Sequence, residues 1–98
     1  MSDNAKATTY RFILKEGTDS RVLQTLLTLA LKESELIYGK ARLKLETNCE
    51  ISPDRWSCTV DGGTECGDRL AQLLSGFLIR QLGEEGFRVE RFQRESLR

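Results

Sequence analysis

Three cysteines, Cys49, Cys58 and Cys66, are the first residues in this chain that could do chemistry. A thiolate can attack an electrophile or bind a soft metal. Eight residues separate the first two and seven the last two, with no Cys-x-x-Cys pair and no histidine anywhere. A structural zinc site takes four ligands, usually drawing two from one such pair. No metal ligand and no cofactor is therefore assigned. Cys49 and Cys58 share the parity of core positions on neighbouring strands, where cysteine packs as a small hydrophobe. Cys66 falls in the first turn of a helix, where backbone N–H dipoles lower a thiol pKa. It is the one candidate for a reactive thiol.

Other chemical candidates have plainer readings. Gly62-Gly63-Thr64 precedes a helix and could hold an anion on free N–H groups. It lacks both the Gly-Lys-Ser/Thr ending of a phosphate loop and the Gly-x-Gly-x-x-Gly of a dinucleotide site, so a turn is expected. Glu33 is the only carboxylate inside an apolar helical arc. It is either a buried acid with a raised pKa or a solvated residue at a fraying helix end, and the second is favoured. Without histidine the chain lacks the side chain that titrates near neutrality. No general acid–base pair is visible, and no catalytic residue is assigned.

Basic residues suggest a different use. Arg11, Lys15, Lys40, Arg42, Lys44 and Arg88 are expected on the outer face of one sheet, a surface suited to single-stranded RNA. Sheets that bind RNA stack bases on aromatics of their central strands. Here the outward positions of those strands are Arg11, Ile13, Ser57 and Thr59. A solvated charged face is the expected reading, and RNA binding is the alternative.

Composition sets the frame that must hold these residues. The chain has 98 residues, 39% hydrophobic and 31% charged, which suits one folded unit with a well-solvated surface. Its 15 basic and 15 acidic side chains cancel, so global charge draws it to neither nucleic acid nor an anionic membrane. No run approaches the ~18 apolar residues of a spanning helix. The opening Met-Ser-Asp-Asn-Ala-Lys lacks the apolar core of a secretory signal. Three cysteines cannot all pair within one chain, which suits a reducing compartment. A cytoplasmic protein without membrane insertion is expected.

The pattern along the chain predicts the elements. Residues 1–8 read as a flexible leader, residues 9–92 as one α+β domain and residues 93–98 as a charged tail. Tyr10 to Lys15 alternates as a strand with Tyr10, Phe12 and Leu14 inward. Asp19 offers an N-cap to a helix from about Ser20 to about Ile37, which Gly39 ends. Lys40 to Glu46 alternates cleanly: Ala41, Leu43 and Leu45 against Lys40, Arg42, Lys44 and Glu46. That predicts a strand of an antiparallel sheet, and the parity continues through Cys49 and Ile51. Ser52-Pro53-Asp54-Arg55 is a turn, and Trp56, Cys58 and Val60 begin the return strand of a hairpin. A second helix runs from about Glu65 to Leu82, and Phe87 to Glu90 starts a last strand. The order β-α-β-β-α-β implies a single antiparallel four-stranded sheet with two helices on one face, the ferredoxin-like arrangement.

The first helix carries surplus apolar surface. On a helical wheel its apolar residues, from Val22 through Tyr38, span roughly 220°, against the 100° or somewhat more needed to lie on a sheet. Three coverings are open: the second helix, a second copy of the chain burying Leu27, Leu31 and Tyr38, or a small hydrophobic ligand or partner helix. The second helix has a face of Gln72, Gly76, Ile79 and Gly83, where Gly76 either admits a close backbone or is simply tolerated. The expected interface set is Leu27, Leu31, Tyr38, Gly76 and Ile79.

Leu36-Ile37-Tyr38-Gly39-Lys40, the hairpin ending at Gly62, and the segment with Gly76-Phe77-Leu78, Leu82 and Val89-Glu90 resemble the 4-vinyl-reductase-type domain family, which is related to small subunits of the TRAPP vesicle-tethering complexes. The resemblance covers residues 36–90. The chain departs by an added strand before the first helix and by lacking the cysteine-bearing segment usual after the last strand. The resemblance implies a dimeric or scaffold-embedded domain, sometimes binding a small hydrophobic molecule. Together with the wide arc, it leads to the expectation of a non-catalytic interaction or ligand-sensing module, acting as a homodimer or as a subunit of a larger assembly.

Overall fold

A computed structural model describes residues 6–95. Strand β1 (Lys6–Leu14) leads into helix α1 (Arg21–Tyr38) and a short helix α2 (Lys40–Glu46). Strands β2 (Cys49–Ile51) and β3 (Ser57–Asp61) form a hairpin, followed by helix α3 (Glu65–Leu82) and strand β4 (Phe87–Glu95). The four strands make one open antiparallel sheet in the order β2-β3-β1-β4.

Strand parity holds as expected. Phe12 and Leu14 of β1 and Cys58 and Val60 of β3 all point to one face and are buried. There they meet Leu23, Leu26, Leu27 and Ala30 of α1 and Leu70, Ala71, Leu74 and Leu78 of α3. The opposite parity places Arg11 across from Thr59 and Ile13 across from Ser57, the outward positions of the central strands.

Lys40–Glu46 is a correction: it is a helix, so the described residues contain three helices. The alternation of Ala and Leu with Lys and Arg looked like a strand, but every residue from Lys40 to Glu46 is a good helix former and none is β-branched. A strand would have buried Ala41, Leu43 and Leu45 together. The helix buries Leu43 alone and leaves Leu45 86% exposed. Arg42 and Glu46, four residues apart, pair at 2.8 Å along it. Gly39, with φ of 86°, makes the joint possible: its N–H closes α1 on the Glu35 carbonyl at 2.8 Å, and its own carbonyl opens α2 by accepting from Leu43 N.

The first and last strands are longer than their alternation suggested. β1 begins at Lys6, inside the stretch read as a leader, and β4 runs to Glu95, inside the stretch read as a tail. They pair along their whole length, from Lys6 opposite Glu95 to Leu14 opposite Phe87. Beyond Val89 the inward positions, Arg91 and Gln93, are polar, and the strand continues there by backbone pairing with β1, which composition does not reveal.

Candidate functional site

The helices leave one part of the sheet's inner face open. Residues Leu70, Leu74 and Leu78 of α3 reach the core. Toward β4 the helix instead offers Asp68, Ala71, Gln72 and Ser75. Short side chains at Ala71 and Ser75 do not span to β4, and Ser75 Oγ turns back to donate to the Ala71 carbonyl at 2.8 Å. The result is a groove of about 560 Å³ between α3 and β4, floored by Tyr10 and the fully buried Phe12 and walled by Val89 and Arg91. Val89 faces inward by register, opposite Phe12, yet remains 42% exposed. A β-branched residue on the core side of a sheet is ordinarily covered. Ile79, farther along α3, is equally exposed. A methyl group placed at Gly76 would touch nothing within 4 Å.

The expected interface set divides. Leu27 is buried in the chain's own core, covered by the sheet and α3, so it has nothing to offer a second copy. Leu31 is half-buried against the same core. Tyr38 is engaged within the chain, donating to Glu65 Oε2 at 3.3 Å. Gly76 and Ile79 remain exposed on α3. The surplus apolar surface of α1 exists, but at other positions: Leu29, Leu36 and Ile37 stand open.

The basic set does not form one surface. Arg11 and Arg88 lie on the outer sheet face, and both pair with Glu90, at 3.9 and 3.4 Å. Arg11 also covers the Phe92 ring, 4.9 Å from its centroid. Phe92 is the outward aromatic that sequence reasoning missed, because β4 extends past the last clear alternation. Lys15 follows the end of β1. Lys40, Arg42 and Lys44 sit on α2, not on the sheet, because residues 40–46 are helical. Arg42 reaches Glu46 at 2.8 Å and Glu65 at 3.3 Å, binding α2 to α3.

The cysteines are packed thiols. Cys58 is buried between sheet and helices, and burial, then the neighbouring Cys49, pushes its pKa up to about 12. Burial, then the charge of Asp61, also raises Cys49. Cys66 reverses the expectation of a lowered pKa. It is fully enclosed, and burial first, then the Glu46 carboxylate beside it, raises its pKa. A helix terminus favours a thiolate only where charge stays solvated or is met by a cation. Among the described residues no group of three or more Cys, Asp or Glu is placed to hold a metal.

Gly62-Gly63-Thr64 acts as the expected turn. Thr64 caps α3 by accepting from Gly67 N at 2.9 Å, and its hydroxyl donates to the Glu46 carbonyl at 2.7 Å. Glu33 is exposed. Among the described residues no helix is long and apolar enough to cross a membrane. A scan against protein-family models and a search of the curated proteins find no match to this chain.

Proposed function

We propose that this chain is a non-catalytic interaction module, working as a homodimer or as a subunit of a larger assembly. The observation that carries it is the uncovered inner face at β4, where Val89 keeps 42% of its surface exposed in the wall of the α3 groove. Apolar surface left open beside a groove with a polar rim is the form of a docking site rather than of a reaction centre. The arrangement itself we take as ferredoxin-like, with α2 inserted before the second strand; antiparallel neighbours in the order β2-β3-β1-β4 support that reading. The resemblance to 4-vinyl-reductase-type domains points toward assembly as well. RNA binding draws no support from the sheet, where the outward positions of the paired central strands, Arg11, Ile13, Ser57 and Thr59, offer no aromatic for a base to stack on.

Native mass spectrometry of the protein as isolated tests the proposal. A homodimer, a complex with another chain or a retained small molecule is expected. A bare monomer carrying nothing at every concentration would sink it.

A further inference from the structure

We infer that β4 pairs edge to edge with β4 of a second copy, in the register centred on Val89. This rests on the interaction-module reading and names its partner and surface. Among the described residues β4 is a nine-residue strand paired on one side only, whereas the opposite edge, β2, has three residues. A long free edge is a template for another strand, and proteins either cover it or use it.

Symmetry leaves few ways to use it. Two copies joined in one continuous sheet are related by a two-fold axis perpendicular to it. Side chains then stay on their own face only if the register is centred on a residue. Centring on Arg91 sets two guanidinium groups against each other, and centring on Glu90 sets two carboxylates together; like charges directly opposite are unfavourable. Centring on Phe92 overlaps residues 89–95 but sets the half-exposed Val89 opposite the carboxylate-bearing Glu95, and centring on Gln93 leaves Val89 outside the overlap altogether.

Centring on Val89 satisfies both faces. On the outer face Arg88 meets the partner's Glu90 twice over, once on each side of the axis. Within one chain these side chains already reach each other at 3.4 Å, so they share that face. On the inner face the half-exposed Val89 meets its own copy. Phe87 then stands opposite Arg91 of the other chain, a pairing of ring and guanidinium that is itself attractive. Five residues, Phe87 to Arg91, overlap, a normal length for a strand pair. The grooves beside the two α3 helices would then share one floor.

The test is sedimentation velocity on the full chain from low micromolar to several hundred micromolar, with folding checked by circular dichroism. The wild type should approach twice 11.1 kDa. Arg88→Glu, which opposes carboxylate to carboxylate, should weaken the dimer roughly tenfold or more. Glu90→Arg should do the same by the opposite charge, and the double exchange should recover most of the affinity. A stable dimer indifferent to both single variants overturns this edge while the interaction-module reading stands. A strict monomer throughout overturns the edge and the homodimer together.

Discussion

The guanidinium carbon of Arg42 lies 5.0 Å from the centroid of the Tyr38 ring, across the Gly39 joint between two helices. Both side chains also reach the Glu65 carboxylate, at 3.3 Å each, so one acid on α3 gathers α1 and α2. A planar cation can lie on a ring and fork to carboxylates at once, which an ammonium cannot. Arg42→Ala should lower the thermal midpoint by a few degrees at low salt and by less at high salt, because the pairs are exposed and screened. Arg42→Lys should recover little of the loss. Differential scanning fluorimetry across a salt series checks this, and a salt-independent effect would point to packing instead.

Two glycines of α3 should respond to alanine with opposite signs. At Gly76 an added methyl meets open space, so Gly76→Ala should stabilise by about 0.8–1 kcal/mol through helix propensity. For a domain of this size that is a rise of roughly 4–8 °C. At Gly67 the methyl would clash with the Asp61 carbonyl oxygen, a backbone atom that cannot swing aside. Gly67→Ala should therefore destabilise by about 1–3 kcal/mol. Urea melts of the two variants decide it. Should a partner's backbone pack against Gly76, Gly76→Ala would stabilise the fold and weaken the association.

Stability should fall steeply above pH 9. The Cys58 thiol titrates at about 12 in the fold, against an ordinary 9.0. Between those values the unfolded chain has lost the proton and the folded chain keeps it, so raising pH favours unfolding. The stabilisation is complete below pH 9 and drains away toward 12, by about 1.4 kcal/mol for each pH unit at one such site. Denaturant melts from pH 8 to 11 should show this slope, and it should be shallower in Cys58→Ala. In the native protein a thiol reagent should label half-buried Cys49 first, with Cys58 and Cys66 reacting only on unfolding.

Ser34 is fully buried on α1, and its hydroxyl has no hydrogen-bond partner among the described residues. A buried donor without a partner costs about 1–3 kcal/mol relative to a group of the same shape that needs none. Ser34→Ala should stabilise by about 1 kcal/mol or more, helped by the better helix former. Thermal melts check it, and a loss of stability would show that the hydroxyl bonds to a group or water inside the core.

Residue patterning alone determined the elements whose apolar spacing is tied to burial. Phe12 and Leu14, and Cys58 and Val60, are where their periodicity places them, because burying those faces is the main driving force. The dull readings of Gly62-Gly63-Thr64 and Glu33 were legible for the same reason: their neighbours left little else for them to do. What only the tertiary structure decided are features governed by contacts distant in sequence. Residues 40–46 satisfy a strand pattern and a helix pattern alike, and the Arg42 contacts with Glu46 and Glu65 accompany the helical choice. The reach of β4 to Glu95 depends on β1 lying beside it. The open groove exists because α3 turns small side chains toward β4, and no local pattern records which side of a helix a distant strand will occupy.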